Sequence, residues 1–134
     1  MVTESKKTAL VVGGSGIAGS SIIRRLNQEG GWTVLSLSRN PVNGLAARHI
    51  PADLLAVDSL ANALREEKPT HVFFTAWARQ DTEEENIRIN SAMLRNVLQA
   101  LEHAPVEHVA LMTGLKHYLG PFEAYGAGPV PDTP

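Results

Sequence analysis

The chain has 134 residues, of which 43% are hydrophobic, and a formal net charge of -2. This length predicts a single domain with an ordinary apolar core. Because the sequence has no dense cluster of lysine and arginine, it argues against nucleic acid and membrane surfaces as partners. It contains no cysteine, which excludes disulfides, thiolate metal sites and a cysteine nucleophile. The polar start and the short apolar run behind it predict neither a signal segment nor a membrane span, and we expect a cytoplasmic protein.

Short apolar segments alternate with segments of helical periodicity along the chain. The pattern predicts strands over residues 8–12, 33–38, 49–50, 71–76 and 108–112, and helices over residues 17–26, 58–67 and 82–103. Such alternation is typical of parallel strands joined by right-handed crossovers. We therefore expect an α/β fold, a Rossmann-type parallel sheet of about five strands in the order 3-2-1-4-5, with helices on both faces. Ligands of such sheets bind at the carboxyl ends of the strands.

Two of the predicted helices carry apolar stripes that should face the sheet. Thr82 and Glu85 have the spacing of a capping box, so the acidic run after Thr82 is expected to be a solvated first turn of the last helix. The stripe of the first helix consists of Ile17, Ile22, Ile23 and Leu26, and that of the last consists of Ile87, Leu94, Val97, Leu98 and Leu101.

Periodicity is lost near the end of the sequence. Residues 120–134 contain three glycines and four prolines, a composition typical of loops. We expect a dinucleotide-binding domain over residues 1–119 and a loop over residues 120–134 that leads to a missing carboxyl-terminal part. The sheet would then be incomplete at its C-terminus, and strand five would offer an open apolar edge that favours self-association into a homo-oligomer.

A glycine-rich segment, GGSGIAG, follows the first predicted strand directly. Gly13, Gly16 and Gly19 form a GxxGxxG variant of the dinucleotide-binding fingerprint. The first glycine permits a tight turn, the second lets the backbone approach a pyrophosphate, and the third lets the helix pack closely on the sheet. The amino end of the helix, at Ile17, offers N–H groups to phosphates. A plain strand-to-helix turn is the alternative interpretation.

The end of the second predicted strand distinguishes between the nicotinamide cofactors. An NAD site usually has an acidic residue there, whereas this chain has Ser38 and Arg39. Because a guanidinium binds a 2'-phosphate through paired hydrogen bonds, we expect NADP(H) as the cofactor. A plain surface charge is the alternative for Arg39. Asp53, with Leu54 beside it, is placed either to accept a hydrogen bond from the adenine amino group or to cap the next helix.

Three segments together resemble one enzyme family: THVFFTAWA over residues 70–78, NSAMLRNVL over residues 90–98 and TGLKHYLGPFEAYG over residues 113–126. Nearly the whole chain resembles the progesterone 5-beta-reductase and iridoid synthase-like group of the extended short-chain dehydrogenase/reductases. The resemblance implies a Rossmann-type fold, NADPH as the cofactor, and reduction of the carbon–carbon double bond of an activated enone.

The resemblance also implies where the chemistry resides. Ordinary short-chain dehydrogenases carry YxxxK, which this sequence lacks. Lys116 matches the lysine of the family motif that begins at Thr113, next to the cofactor, and the partner tyrosine of the family comes from a later segment. Reduction of an enone leaves an enolate oxygen that needs a proton donor and a nearby cation, a role for Lys116. Tyr118 and Tyr125 belong to the motif itself and are interpreted as packing or wall residues.

Further candidate residues flank the predicted cofactor. Thr75, Ala76 and Trp77 end the fourth strand, where they can line the ribose and nicotinamide side, with a place in the core as the alternative for Trp77. Asn90 falls on the apolar stripe of the last helix, where a structural hydrogen bond or, by the resemblance, the site-ordering asparagine of the short-chain dehydrogenases is expected. The histidines show no paired metal spacing, so no metal is predicted.

The leading interpretation is the NADPH-binding part of a reductase that transfers hydride to the activated double bond, or the carbonyl, of a small enone substrate. We expect the 134-residue chain alone to be inactive. One alternative is a nucleotide-sugar epimerase or dehydratase, which would favour YxxxK and NAD. Another is a catalytically silent dinucleotide-binding module.

Overall fold

The computed structural model describes residues 7–41 and 44–113. In chain order the elements of these ranges are β1 (Lys7–Val12), α1 (Ile17–Glu29), β2 (Trp32–Ser38), β3 (Arg48–Pro51), α2 (Val57–Leu64), β4 (His71–Phe74), α3 (Glu83–Ala100) and β5 (His108–Leu111). The strands are parallel and form one sheet in the order β3-β2-β1-β4-β5. The predicted α/β fold and strand order are confirmed.

β1 lies at the centre of the sheet and is buried on both faces. Leu10 and Val12 belong to a core cluster with residues of α2 and α3, whereas Ala9 and Val11 pack with residues of α1. Because successive side chains of a strand point to opposite faces, helices cover both faces of the sheet, as predicted. Burial on both sides also explains why β1 reads as a continuous apolar run.

The connection from β2 to β3 has no helix among its described residues. Asn27 of α1 donates from Nδ2 to the carbonyl oxygen of Ala46 (3.0 Å) and accepts at Oδ1 from the Ala46 N–H (2.9 Å). Leu45 and Ala47 pack against the core cluster on the α1 side. This tethered loop therefore helps to cover the sheet beside α1.

Three residues of the predicted apolar stripes are exposed. Ile17 of α1 is 90% exposed, and Ile87 and Leu98 of α3 are 63% and 40% exposed. The other members of both stripes are buried or pack against the core, so the prediction is wrong at these three positions only. The buried residues of α1 are Gly19, Ile23 and Leu26. At 3.6 residues per turn, Ile17 lies on the opposite side of the helix from Gly19. In α3 the buried positions are Met93 and Val97, which turns Ile87 and Leu98 outward.

Several elements are shorter than predicted. β4 ends at Phe74 and α3 at Ala100. α2 ends at Leu64, because the N–H of Glu67 bonds back to the carbonyl of Leu64 (3.1 Å) in a turn. At the start of α3, one of the two hydrogen bonds of the predicted capping box is present: the Glu85 N–H donates to Oγ1 of Thr82 (3.1 Å).

β5 forms one lateral edge of the sheet. Within residues 7–41 and 44–113 it pairs only with β4, and its four residues are all exposed. Val109, Leu111 and the following Met112 are among the large exposed apolar side chains. The expected open apolar edge is therefore present in this part of the chain, while self-association stays a prediction.

Candidate functional site

Gly13 ends β1 and turns the chain toward α1. Its φ of +88° lies in the left-handed region that favours glycine. The N–H of Gly13 donates to the carbonyl oxygen of Leu37 in β2 (2.9 Å), and the N–H of Gly16 donates to that of Gly13 (3.0 Å). A Cβ on Gly13 would lie 2.9 Å from the backbone nitrogen of Ala76. The turn is therefore tight, and a side chain at its first position would be both strained and crowded.

Gly19 and Gly14 are required by packing rather than by backbone angles. A Cβ on Gly19 would overlap the carbonyl group of Gly13, so α1 can approach the turn only with glycine at this position. A Cβ on Gly14 would overlap the hydroxyl of the buried Ser36 in β2. The sequence analysis assigned the packing role to Gly19 but missed Gly14. The doubled glycine after an apolar strand is the signal that could have identified it.

Gly16 is different, because none of the described residues fills the space beside it. Its φ of -82° and ψ of 175° are open to any residue, and the nearest atom to an added Cβ is the Gly13 oxygen at 3.5 Å. Gly16 is also the N-cap of α1, where no side chain caps the helix, so the first-turn N–H groups lack a side-chain acceptor. The exposed Ile17 follows directly. The backbone at the start of α1 therefore borders an open space, and a cofactor contact of Gly16 stays a prediction.

The end of β4 is bonded to the glycine turn. The N–H and the hydroxyl of Thr75 both donate to the carbonyl oxygen of Val12, at 2.9 and 2.7 Å, and the hydroxyl also lies 3.3 Å from that of Gly13. Trp77, two residues further on, is 65% exposed. The alternative that Trp77 is a core residue is therefore wrong, because the segment leaves the sheet after Phe74.

Asn90 orders the segment that follows β4. Its Oδ1 accepts from the N–H of Ala78 (2.9 Å), and its Nδ2 donates to the carbonyl oxygens of Ala78 and Asn86 (2.9 Å each). The structural hydrogen bond expected for an inward amide is present. These bonds fix the backbone just beyond Trp77, and a cofactor contact of Asn90 itself stays a prediction.

A second asparagine, which the sequence analysis missed, holds the same loop. Asn86 Oδ1 accepts from the N–H of Gln80 at 2.6 Å. Its spacing of four residues from Asn90 on one helix is the signal that could have identified it. This loop and the start of α3 line a cavity of about 480 Å³, whose lining residues are Trp77, Arg79, Gln80, Asp81, Thr82, Glu83 and Asn86.

The carboxyl end of β2 carries the residues expected to select the cofactor. Ser38 is buried, and its hydroxyl donates to the carbonyl oxygen of Asn40 (2.5 Å). Arg39 is exposed and forms no hydrogen bond or ion pair with any residue of the described ranges. Its guanidinium is therefore available at this edge of the sheet.

Asp53 and Leu54 follow β3. Asp53 Oδ1 accepts from the N–H of Leu55 (2.9 Å), closing a turn before α2. The N-cap of α2 is Ala56, with no side-chain cap, so the alternative that Asp53 caps this helix is wrong. Leu54 packs against the core cluster, and its carbonyl accepts from Nδ2 of Asn96 (2.9 Å). Leu54 thus has a packing role, and a cofactor contact stays a prediction for both residues.

The carboxyl edge brings most of the candidate residues to one side of the sheet. The register pairs Val12 with Leu37 and with Phe74, so β1, β2 and β4 end level with one another. Thr113 is exposed just after β5. Lys116, Tyr118, Tyr125 and residues 120–134 lie outside the described residues.

The topology and the glycine turn define the class of the protein: it is a Rossmann-like α/β domain. The sequence matches the family described as "NAD dependent epimerase/dehydratase family" over residues 9–133, and the chain belongs to this family. Among the described residues, no helix has the length and apolar character needed to cross a membrane.

Curated relatives support the narrower resemblance. The chain is 40% identical to the "3-oxo-Delta(4,5)-steroid 5-beta-reductase" of Arabidopsis thaliana, over 87% of this chain and 33% of the relative. It is 36% identical to the "(S)-8-oxocitronellyl enol synthase CYC2" of Camptotheca acuminata, over 92% of this chain and 34% of the relative. The resemblance to this group of reductases is confirmed, and the chain spans about a third of the length of these relatives.

Solved structures share the fold. The "MoeE5 in complex with UDP-glucose and NAD" matches with a TM-score of 0.68 and 26% identity, over 86% of this chain and 39% of that protein. A UDP-glucose 4-epimerase matches with a TM-score of 0.71 and 17% identity, over 84% of this chain and 37% of that protein. Because its identity to this chain is so low, the likeness to the UDP-glucose 4-epimerase concerns the fold alone.

Proposed function

We propose that the carboxyl edge of the sheet binds NADP(H), and that the chain is the cofactor-binding part of an enone reductase. The open space at Gly16 carries this proposal. The fold needs glycine at positions 13, 14 and 19 for its own packing, whereas a Cβ added at Gly16 would meet no atom of the described residues closer than 3.5 Å. A cofactor pyrophosphate in that space would account for the fourth glycine.

Charge at this site suits a phosphate. The uncapped first turn of α1 directs N–H groups and a partial positive charge toward the space beside Gly16. Gly13 and Thr75 hold the turn against β2 and β4. The N–H groups are therefore oriented before the cofactor binds, which lowers the entropy cost of binding.

Arg39 supplies the proposed preference for NADP(H) over NAD(H). It is exposed at the end of β2, has no carboxylate partner among the described residues, and is next to a serine rather than an acidic residue. A free guanidinium can bind a 2'-phosphate through two parallel hydrogen bonds. Asp53 could not bind the 2'-phosphate in place of Arg39, because its carboxylate would repel the phosphate.

The substrate class follows from the relatives. The 3-oxo-Delta(4,5)-steroid named for the Arabidopsis relative is an enone, and a bound nicotinamide would supply hydride to its β-carbon. The enolate oxygen that results needs a donor and a cation. We assign the cation to Lys116 and the donor to the tyrosine that the family carries in a later segment. The cavity lined by Trp77 is our candidate for the nicotinamide side of the site.

The family name and the MoeE5 structure with UDP-glucose and NAD favour a second candidate, a nucleotide-sugar epimerase or dehydratase. This candidate predicts NAD as the cofactor. Preference for NADPH or NADH therefore separates the two candidates.

Cofactor binding is tested by titrating the chain with NADPH and following its fluorescence. The unaltered chain should bind saturably, whereas Gly16→Val should lose binding with an unchanged circular dichroism spectrum. Ser21→Val places the same side chain on the exposed side of α1 and should bind normally. Normal binding by Gly16→Val would show that the glycine segment is only a turn.

Catalysis is tested in a protein extended through the tyrosine-bearing segment of the family. NADPH oxidation with a cyclic enone should be measurable in that protein. Lys116→Met should lower kcat about 100-fold or more, as expected when a stabiliser of an oxyanion is removed. The 134-residue chain alone should show no turnover above background. Equal kcat for the Lys116→Met variant would refute the role of Lys116.

A further inference from the structure

A cluster of metal-binding side chains lies at the amino edge of the sheet, opposite the glycine turn. His71 begins β4 and His108 begins β5, and the two residues are register partners. Their rings lie 5.2 Å apart between centroids with planes tilted by 34°. Glu107 directly precedes His108, and one candidate ligand atom from each of the three residues lies within 4.8 Å of the others. We propose that His71, Glu107 and His108 form a binding site for a divalent transition-metal ion such as Zn²⁺.

The hydrogen bonds of Thr70 prepare one ligand. The hydroxyl oxygen of Thr70 accepts from the N–H of Thr8 (3.0 Å) and lies 3.1 Å from the Thr8 carbonyl oxygen, to which it donates its single proton. It also lies 2.8 Å from Nδ1 of His71. The hydrogen bond at Nδ1 leaves Nε2 as the ring nitrogen that can face a metal. When Nε2 binds a metal, Nδ1 carries the proton and can donate it to this hydroxyl.

This arrangement is the one that metal-binding histidines commonly use. Such a histidine donates from its second ring nitrogen to an oxygen, which fixes the tautomer and the ring orientation. Trp32 packs edge-on against His71, with centroids 4.9 Å apart, and restrains the ring further. The first ligand is thus held in place by neighbours on two other strands.

The other two ligands, His108 and Glu107, have side chains that can adjust to a metal, and Glu107 adds a negative charge. His108 and Glu107 are exposed, so both side chains can move to the distances of about 2.0–2.2 Å that Zn²⁺ requires. The N–H of Glu107 donates to the carbonyl oxygen of Thr70 (2.8 Å), which fixes its backbone beside β4. Two imidazoles and one carboxylate favour zinc, nickel or copper over calcium or magnesium. Water would complete the coordination.

Sequence spacing could not reveal this site. Its two histidines are far apart in the chain and meet only because β4 and β5 are neighbours. The prediction that no metal binds rested on the spacing of histidines along the chain. The pairing of β4 with β5 places His71 beside His108 despite their distance in the sequence. The site shares no residue with the glycine turn, so this proposal is independent of the proposed function.

The test is calorimetric titration of the purified, tag-free chain with ZnCl₂. The unaltered chain should bind one Zn²⁺ saturably, and its thermal unfolding midpoint should rise with zinc. His71→Phe keeps an aromatic ring against Trp32 and should lower the affinity by more than the roughly 10- to 100-fold that loss of an outer hydrogen-bond partner costs. Glu107→Gln, at an exposed position, gives a second variant in which folding is not at risk.

Two controls separate this site from general histidine binding. His103→Gln removes an exposed histidine whose Nε2 lies 2.9 Å from the Glu67 carbonyl oxygen, and it should leave the zinc affinity unchanged. In the unaltered chain loaded with Cu²⁺, electron paramagnetic resonance should show coupling to imidazole nitrogen, and this signal should be lost in the double variant His71→Phe, His108→Gln. Absence of saturable zinc binding, or equal binding by the double variant, would overturn the proposal.

Discussion

The two edges of this sheet present opposite chemistry. At the carboxyl edge the protein offers backbone N–H groups around Gly16 and the exposed guanidinium of Arg39. At the amino edge it offers the imidazoles of His71 and His108 and the carboxylate of Glu107. The first set of groups suits an anion and the second suits a metal cation.

The parallel topology explains this difference. Every helix that follows a strand begins near the carboxyl edge and ends near the amino edge, so helix amino termini, with their partial positive charge, collect at one edge only. The backbone can therefore contribute to anion binding at the carboxyl edge. At the amino edge, binding depends on side chains brought together by register. Substitutions that distinguish backbone from side-chain roles test this contrast.

Gly19→Val should have the largest effect, because a side chain there would overlap the carbonyl group of Gly13. We expect a loss of about 3 kcal/mol or more in the free energy of unfolding, measured by urea denaturation. Gly16→Val is the matched control, and it should cost only about 1 kcal/mol through a poorer N-cap. Equal losses for the two variants would mean that the turn does not have this packing.

Asn90→Leu should cause the second-largest loss in the free energy of unfolding. The substitution leaves the N–H and carbonyl of Ala78 without their side-chain partner, which should cost about 1–3 kcal/mol. Gln99→Leu, at an exposed position of the same helix, should stay within about 0.5 kcal/mol of the unaltered chain. Urea denaturation gives both values, and a stable Asn90→Leu variant would show that these bonds do not order the loop after β4.

The lateral edge at β5 offers a third kind of surface. Leu111→Lys places a charge on this exposed apolar strand and should weaken self-association about tenfold or more, as measured by sedimentation velocity. Lys is tolerated because Leu111 is exposed, so the unfolding free energy should change little. Unchanged association, or a monomeric parent chain, would show that β5 does not mediate contact between copies.

The ion pair at the start of α3 should have the smallest effect. A hydrogen bond from Arg88 lowers the pKa of Glu85 below its ordinary value, and both side chains are solvent-exposed. Because the folded-state pKa is the lower one, the pair stabilises the fold above the unfolded-state pKa and loses this effect as the pH falls through the folded-state pKa. The Arg88→Gln variant should therefore be slightly less stable than the unaltered chain at neutral pH but not at low pH. High salt should remove this difference in stability. A difference that persists at low pH would exclude the ion pair as its cause.

The sequence predicted the order of elements well because each central strand is buried on both faces and reads as an apolar run. It also identified the glycine turn, because backbone geometry at Gly13 restricts the residue type. The sequence wrongly predicted that Ile17 and Ile87 face the sheet, because the apolar residues of one helix can be grouped into more than one possible buried face. Gly14, Asn86 and the histidine cluster depend on contacts between distant segments, which periodicity does not encode.

The central claim is that the carboxyl edge binds NADP(H) with Arg39 on the 2'-phosphate. The most direct test is to measure the dissociation constants of NADPH and NADH side by side for the unaltered chain, for Arg39→Ala and for the α1 surface control Arg25→Ala. NADPH should bind about 10- to 100-fold tighter than NADH, the value of a strong charge-assisted hydrogen bond. Arg39→Ala should narrow that ratio and Arg25→Ala should not. Equal affinities in the unaltered chain, or a preference for NADH, would contradict the account.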